Sequence, residues 1–259
     1  MNGEVAQMSQ IVISARKALC TGRDLSYRLD GYVLSIRFIF FPRERNVKKV
    51  GEADSVSGWF SQCRELGLED IKFMIPTAVK DRSILGFSNA SQGYVLCFWR
   101  DGAASCFFPR WTFDRERRGW NVVYQEQEWK NPPEGKPSFV NRTEEFKQVL
   151  LDIEKLANEI DAENFAGIFH KAYEMLCGDS PAAGILDSLD VPDAFRGLYA
   201  AVNEADVFGA MGSWNDSPPY CAHQKGLDRE YEALSDRLLE LLRYQLMYAA
   251  NECWNKGDI

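Results

Sequence analysis

The stretch GYVLCFWRDGAASCFFPRW, residues 93–111, decides the fold of the N-terminal half of this chain. Two runs rich in aromatic and β-branched residues flank Asp101-Gly102, a dipeptide that favours the tight turn of a β-hairpin. The stretch therefore predicts two antiparallel strands joined at that dipeptide. Because hairpins build antiparallel sheets, we expect a mainly antiparallel sheet in the first half of the chain.

Further elements are expected on either side of this hairpin. Aromatic and β-branched runs predict the remaining strands at 27–41, with a hairpin at Asp30-Gly31, and at 71–76, 83–87 and 120–130. Apolar residues at three- and four-residue spacing predict helices at 4–19 and 56–66. The first half is thus expected to be a sheet with one or two covering helices.

The segment KNPPEGKPSFVN, residues 130–141, interrupts this pattern with three prolines and a glycine. That composition is typical of a linker, and we place a domain boundary there, between 1–135 and 136–259. Downstream, apolar residues recur at helical spacing, and helices are expected at about 143–160, 163–176, 190–208 and 227–254. The predicted fold class is α+β, with a sheet domain followed by an acidic bundle of four helices.

The stretch FGAMGSWNDSPP, residues 208–219, joins the last two predicted helices. Its glycines can adopt positive φ, and Pro218-Pro219 are expected to delay the last helix. We expect Met211 and Trp214 to fold back over the end of the bundle, while the Asn-Asp pair hydrogen-bonds to its own backbone. The alternative is an exposed binding edge. Its residues would be Met211, Trp214, Asn215 and Asp216.

The same stretch resembles a G-G-M-G-S-[FW]-N-D signature of uncharacterised bacterial helical proteins, in which the signature also precedes a last amphipathic helix. This chain departs from the signature at Ala210, where the pattern has its second glycine. The resemblance covers the C-terminal half. It implies a helical fold there and implies no activity.

One strand suggests chemistry. In WNVVYQEQEWK, residues 120–130, alternation places Glu126, Glu128 and Lys130 on one face. An acid, a spacer and a lysine resemble the E-x-K element of the PD-(D/E)-x-K nucleases, in which carboxylates hold Mg²⁺ and the lysine steadies the attacking water. A metal-dependent nuclease is therefore the alternative function of this chain. Its residues would be Asp114, Glu126, Glu128 and Lys130.

Basic and aromatic residues alternate just before that strand, in RWTFDRERRGW, residues 110–120. Such a pattern can bind a phosphate backbone and stack bases, with Arg110, Arg117 and Arg118 as the candidate contacts. Asp114 and Glu116 dilute the positive charge. Since nucleic-acid domains are usually strongly basic, the acidity of the whole chain argues against this function.

The charge of the chain is unevenly distributed. Residues 1–140 carry 20 Lys and Arg against 16 Asp and Glu, whereas residues 141–259 carry 10 against 22, and the chain totals −8. We interpret the protein as a non-catalytic interaction module whose acidic helical half engages a basic protein partner, in a bacterial defence or toxin-immunity setting. The sequence leaves open whether the protein is instead an enzyme, such as the nuclease described above.

Neither export nor membrane insertion is predicted. The longest apolar run, 32–41, is broken by Ser35 and Arg37, and the first ten residues lack the basic start of a secretory signal. Seven cysteines without a C-x-x-C pair are most simply reduced thiols. We expect a cytoplasmic bacterial protein with no membrane association, no metal and no cofactor.

Overall fold

The computed structural model describes residues 1–42, 51–130, 135–180 and 191–254. A mixed sheet of six strands occupies the N-terminal half, and five helices follow it in the C-terminal half, which confirms the predicted α+β class. The strands are β1 Val33–Ile39, β2 Glu52–Ala53, β3 Leu68–Met74, β4 Tyr94–Trp99, β5 Ala104–Asp114 and β6 Gly119–Glu128. The α-helices are α1 Gly3–Thr21, α2 Val56–Glu65, α3 Thr143–Glu159, α4 Glu163–Cys177, α5 Asp193–Ala205, α6 Pro218–Lys225 and α7 Asp228–Glu252.

The chain forms two compact units, each built from three segments. The helical unit comprises Met1–Ala6, Ile75–Ser91 and Phe139–Ala249. The sheet unit comprises Gln7–Met74, Gln92–Ser138 and Ala250–Ile259. The boundary at residue 135 that the linker composition predicts stays a prediction.

The strand order of the sheet is β2-β1-β6-β5-β4-β3. The hairpin at Asp101-Gly102 forms as expected, with Phe98 opposite Ala104. Four of the five strand pairings are antiparallel, and the pairing of β1 with β6 is parallel. The sheet is therefore mainly antiparallel, as predicted.

Aromatic side chains form the core between the sheet and its covering helices. The ring of Phe38 stacks on Trp59 of α2, with centroids 4.7 Å apart, and on Tyr124, at 4.9 Å. Trp59 also makes an edge-to-face contact with Phe107. The Tyr124 hydroxyl donates to Oε1 of Gln7 on α1, at 3.0 Å. These contacts cover one face of β1, β6 and β5.

Several local predictions were wrong. The expected strand at 27–41 begins only at Val33, and Asp30-Gly31 forms a turn into β1 rather than a hairpin, because β1 pairs with β6 and β2. The expected strand at 83–87 is a 3-10 turn, Arg82–Gly86, whose first residues are capped by Asp81. Pro218-Pro219 do not delay a helix but open α6, because proline fits the first helical turn. The described part of the C-terminal half therefore contains five helices, where the sequence predicts four.

The described residues contain no helix that is both long enough and apolar enough to cross a bilayer.

Candidate functional site

The candidate site lies in the helical unit, where residues 81–87 meet residues 209–216. We call these two segments the paired loops. They approach so closely that a Cβ atom on Gly86 would lie 2.4 Å from the backbone nitrogen of Ala210. The side chain of Asn215 also joins them, because its Nδ2 donates to the carbonyl of Arg82 at 3.0 Å. Two loops that are distant in sequence thus hold one surface in place.

Trp214 anchors the second loop in the core, as the sequence predicts. The side chain is fully buried, and its ring makes edge-to-face contacts with Phe165 and Phe169 and stacks on Tyr231. Its Nε1 donates to Oγ of Ser235 at 2.7 Å, so the one polar atom of the indole is satisfied. Trp214 therefore cannot contact a partner directly, and its part in any binding edge is to position the loop.

The rest of the second loop is held by its own hydrogen bonds. The carboxylate of Asp216 accepts from the backbone N–H of Gly212 at 2.7 Å, and the hydroxyl of Ser213 donates to the carbonyl of Gly209 at 2.9 Å. Gly212 has φ +79°, a conformation that favours glycine. Asp216 is therefore used inside the loop, as expected of an Asx residue.

Met211 does not fold back over the bundle, and that prediction was wrong. Its side chain is 93 % exposed. Phe87, the last residue of the first loop, is also exposed, at 64 %, and so is Tyr220 at the start of α6, four residues after the second loop, at 66 %. We call Phe87, Met211 and Tyr220 the apolar tip. Gly86 and Ala210, which precede Phe87 and Met211, are in close contact, so these two side chains start from one point of the surface. An exposed apolar patch, unlike a single exposed apolar residue, marks an interaction site.

A polar cleft of about 270 Å³ adjoins the paired loops. Arg82 forms ion pairs there with Glu232, at 2.6 Å, and with Asp236, and its guanidinium lies 6.0 Å from the ring of Tyr231. Burial lowers the pKa of Arg82, but the hydrogen bonds and charges of Glu232 and Asp236 outweigh burial and raise the pKa. The guanidinium therefore stays charged. Both carboxylates remain largely exposed and form an acidic rim on the cleft beside the paired loops.

A substitution at Gly86 tests how closely the paired loops approach each other. We expect Gly86→Ala to lower the free energy of unfolding by about 1–3 kcal/mol, because the new methyl group would overlap the backbone of Ala210. Gly167→Ala is the control, since open space surrounds this helical glycine, and it should stabilise by about 0.5–1 kcal/mol. Guanidinium denaturation measures both. Equal midpoints would contradict the close approach.

The structure does not bring the four nuclease candidates together. Asp114 pairs with Gly119 and Glu126 with Phe107, seven residues along β6, which corresponds to about 24 Å. The carboxylate of Asp114 accepts the backbone N–H groups of Glu116 and Arg117. Asp114 therefore closes the turn between β5 and β6.

The other three candidates lie near the opposite end of β6. Glu126 is 3 % exposed and accepts from Oγ of Ser105, at 2.6 Å, and from the backbone N–H of Phe41, at 2.8 Å. Glu128 and Lys130 are exposed, and Lys130 lies beyond the end of the strand. Within the described ranges, no cluster of three or more His, Cys, Asp or Glu side chains could hold a metal ion.

The three arginine candidates are all exposed, but they do not share one surface by strand alternation. Arg110 lies within β5, where its neighbour Trp111 is buried on the opposite face. Arg117 and Arg118 belong to the turn between β5 and β6. A second basic run in the sequence, with Arg43, Arg45, Lys48 and Lys49, lies outside the described residues.

No protein-family model, no curated protein and no solved structure matches this chain. The resemblance of residues 208–216 to a helical-protein signature therefore stays a prediction. The site described above depends on the geometry of the chain itself.

The sequence did not indicate two parts of this site. Arg82 lies 133 residues from Asn215, and no local pattern links them. Phe87 ends an apolar run that predicts a strand, although Asp81, which can cap a helical turn, precedes that run. Asp81 and Gly86 are the two local signals that indicate a turn there.

Proposed function

We propose that the protein is a non-catalytic interaction module that docks a partner protein on the apolar tip of its helical unit. The exposure of Met211 carries this proposal, because the loop that presents it is fixed by a buried tryptophan and by its own hydrogen bonds. Methionine is flexible and polarisable, and it recurs on surfaces that adapt to a partner. The geometry of this loop thus supports Met211 as a contact residue that is held in place before a partner binds.

Charge favours a basic partner. The helical unit carries 11 Lys and Arg against 22 Asp and Glu, whereas the sheet unit carries 19 against 16. Glu232 and Asp236 add exposed carboxylates to the cleft beside the paired loops. The partner segment we propose therefore has an apolar side chain flanked by lysine or arginine, with the charges steering its approach.

The setting belongs to the same proposal. We place the protein in the cytoplasm of a bacterium, in defence or immunity, as the sequence suggests. The seven cysteines, which all lie in described residues, form no disulfide, and four of them are buried, an arrangement that supports a reducing compartment.

A capture experiment with matched variants tests this function. The tagged full chain, its Phe87→Ser/Met211→Ser variant and a Val140→Ser control are immobilised, and lysate proteins that they retain are identified by mass. Val140 suits the control because it is also an exposed apolar residue of the helical unit, at 65 %. The expected result is a protein retained by the wild type and the control, lost from the double variant, and released by salt.

Two results would contradict the proposal. Retention of the same proteins by all three chains would show that the apolar tip is not the docking point. Ionic contacts at an exposed rim weaken as salt rises. A retained protein that stays bound at high salt would therefore show that the acidic surface does not contribute to the interaction.

A further inference from the structure

One face of the sheet unit is open over its middle strands, where Arg37, Arg110 and Gln125 are exposed. Side chains that are opposite one another in the register of β1, β6 and β5 form three rows on this face. We call these rows the open face. They are Ser35, Asn121 and Thr112; Arg37, Val123 and Arg110; and Ile39, Gln125 and Phe108.

The open face lies opposite the aromatic core, because successive strand residues point to opposite sides. Phe38 and Tyr124 contact the helix-covered core, whereas their neighbours Arg37 and Gln125 are exposed. The half-buried ring of Phe108 extends this face towards β4 and contacts Tyr94, with centroids 5.1 Å apart. Both rings are half-buried and pack beside the buried cluster of Leu96, Phe98, Ala104 and Cys106. The open face therefore combines exposed polar groups with two rings that stay partly accessible.

Two arginines dominate the charge of the open face. Arg37 and Arg110 both lie opposite Val123, so two strand spacings, or about 10 Å, separate their Cα atoms. Neither side chain forms an ion pair or a hydrogen bond with any residue in the described ranges. The three rows contain no carboxylate, since Glu126 points into the core and bonds to Ser105. The carboxylates in line with these rows lie at their margins: Glu52, opposite Ile39, and Asp114, two residues beyond Thr112. This is a local positive surface on a chain of net charge −8.

We infer that the open face binds single-stranded nucleic acid. The unpaired guanidinium groups suit phosphates, and the rings of Phe108 and Tyr94 suit bases that are free to stack. The amides of Asn121 and Gln125 offer donors and acceptors for base edges. A sheet surface with aromatic rings favours a single strand, whose bases are accessible, over a duplex, whose bases are stacked inside.

Fluorescence anisotropy tests this inference with the full chain. The probes are fluorescein-labelled 12-mers of oligo-dT and oligo-U and a 12-base-pair DNA duplex, each at several salt concentrations. We expect both single strands to bind more tightly than the duplex. A difference between oligo-dT and oligo-U would show whether DNA or RNA is preferred.

Variants locate the binding surface. Arg37→Ala and Arg110→Ala should each weaken single-strand binding and should each reduce the slope of log affinity against log salt by about 0.7, the value per phosphate contact for single strands. Phe108→Leu should weaken binding at least about fivefold through lost stacking. Arg100→Ala is the matched control, because Arg100 is an exposed arginine in the turn between β4 and β5. It should change the affinity less than twofold.

Three results would overturn the inference. One is no binding of either single strand at 50 mM salt. Another is an equal loss in Arg100→Ala and Arg110→Ala, and the third is duplex binding as tight as single-strand binding with no effect of Phe108→Leu; either would indicate general attraction of polyanions. Circular dichroism melts confirm that each variant is folded. Because Phe87 and Met211 are untouched, failure here leaves the proposed protein docking to its own test.

Discussion

Replacing Trp214 by alanine is expected to cost about 3–5 kcal/mol of unfolding free energy, the range for large-to-small changes of buried aromatic residues. The indole is fully buried among three rings, with centroid distances of 5.2 Å to Phe165, 5.3 Å to Phe169 and 5.3 Å to Tyr231. Alanine would leave a cavity that these rings cannot fill and would remove the hydrogen bond from Nε1 to Ser235. The measurement is guanidinium denaturation of the full chain, followed by circular dichroism.

Two matched variants separate the parts of this effect. Trp214→Phe keeps an aromatic ring but loses the bond to Ser235, so it should cost less than the alanine variant. Met211→Ala removes an exposed side chain three residues away and should change the free energy by no more than about 0.5 kcal/mol. If Trp214→Ala cost as little as Met211→Ala, the loop would not be anchored in the core.

The contrast between Trp214 and Met211 shows what the sequence can predict about the site. Both are apolar residues between turn-forming residues, and the pattern predicts that both fold inward. Their outcomes differ because the loop turns at Gly212 and because the backbone N–H of Trp214 donates to the carbonyl of Val207. Local composition indicates a turn, but the direction of each side chain depends on hydrogen bonds that the sequence does not show.

The same distinction applies to the sheet. The hairpin at Asp101-Gly102 depends on local signals, so it could be predicted, together with the α+β class. The parallel pairing of β1 with β6 joins residues about 87 positions apart, such as Val33 and Trp120, and has no local signal. Alternation within β1 could have indicated that Arg37 faces away from Phe38, but the row that it forms with Arg110 requires that long-range register.

Asn251 is expected to have the second large effect. Strand β3 is at the edge of the sheet, and such an edge presents unpaired backbone groups. The Oδ1 atom of Asn251 accepts from the N–H of Phe73 at 2.7 Å, and its Nδ2 donates to the carbonyl of the same residue at 2.8 Å. The carboxamide, which is fully buried, thus takes the place of a neighbouring strand. It protects the edge of the sheet unit.

We expect Asn251→Ala to cost about 2–4 kcal/mol, because it leaves two buried backbone groups of Phe73 without partners, at about 1–3 kcal/mol each. Gln125→Ala is the control, since this exposed amide should contribute no more than about 0.5 kcal/mol. Denaturation gives the free energies. Hydrogen exchange at the Phe73 amide gives a local reading, and undiminished protection there in Asn251→Ala would contradict the assigned bond.

Asn251→Asp tests the two hydrogen bonds to Phe73 more sharply, because it preserves the shape of the side chain and removes the Nδ2 donor. At neutral pH the carboxylate would still accept from the Phe73 N–H but would repel the Phe73 carbonyl, so the variant should be strongly destabilised. Burial and that repulsion would raise the folded-state pKa of the aspartate above its unfolded value. Stability is then lost as pH rises through the folded pKa, and the deficit relative to the wild type should shrink on acidification, when the protonated acid can donate to the carbonyl. A deficit that does not change between pH 4 and pH 7 would show that the donor half of the amide does not protect the strand edge.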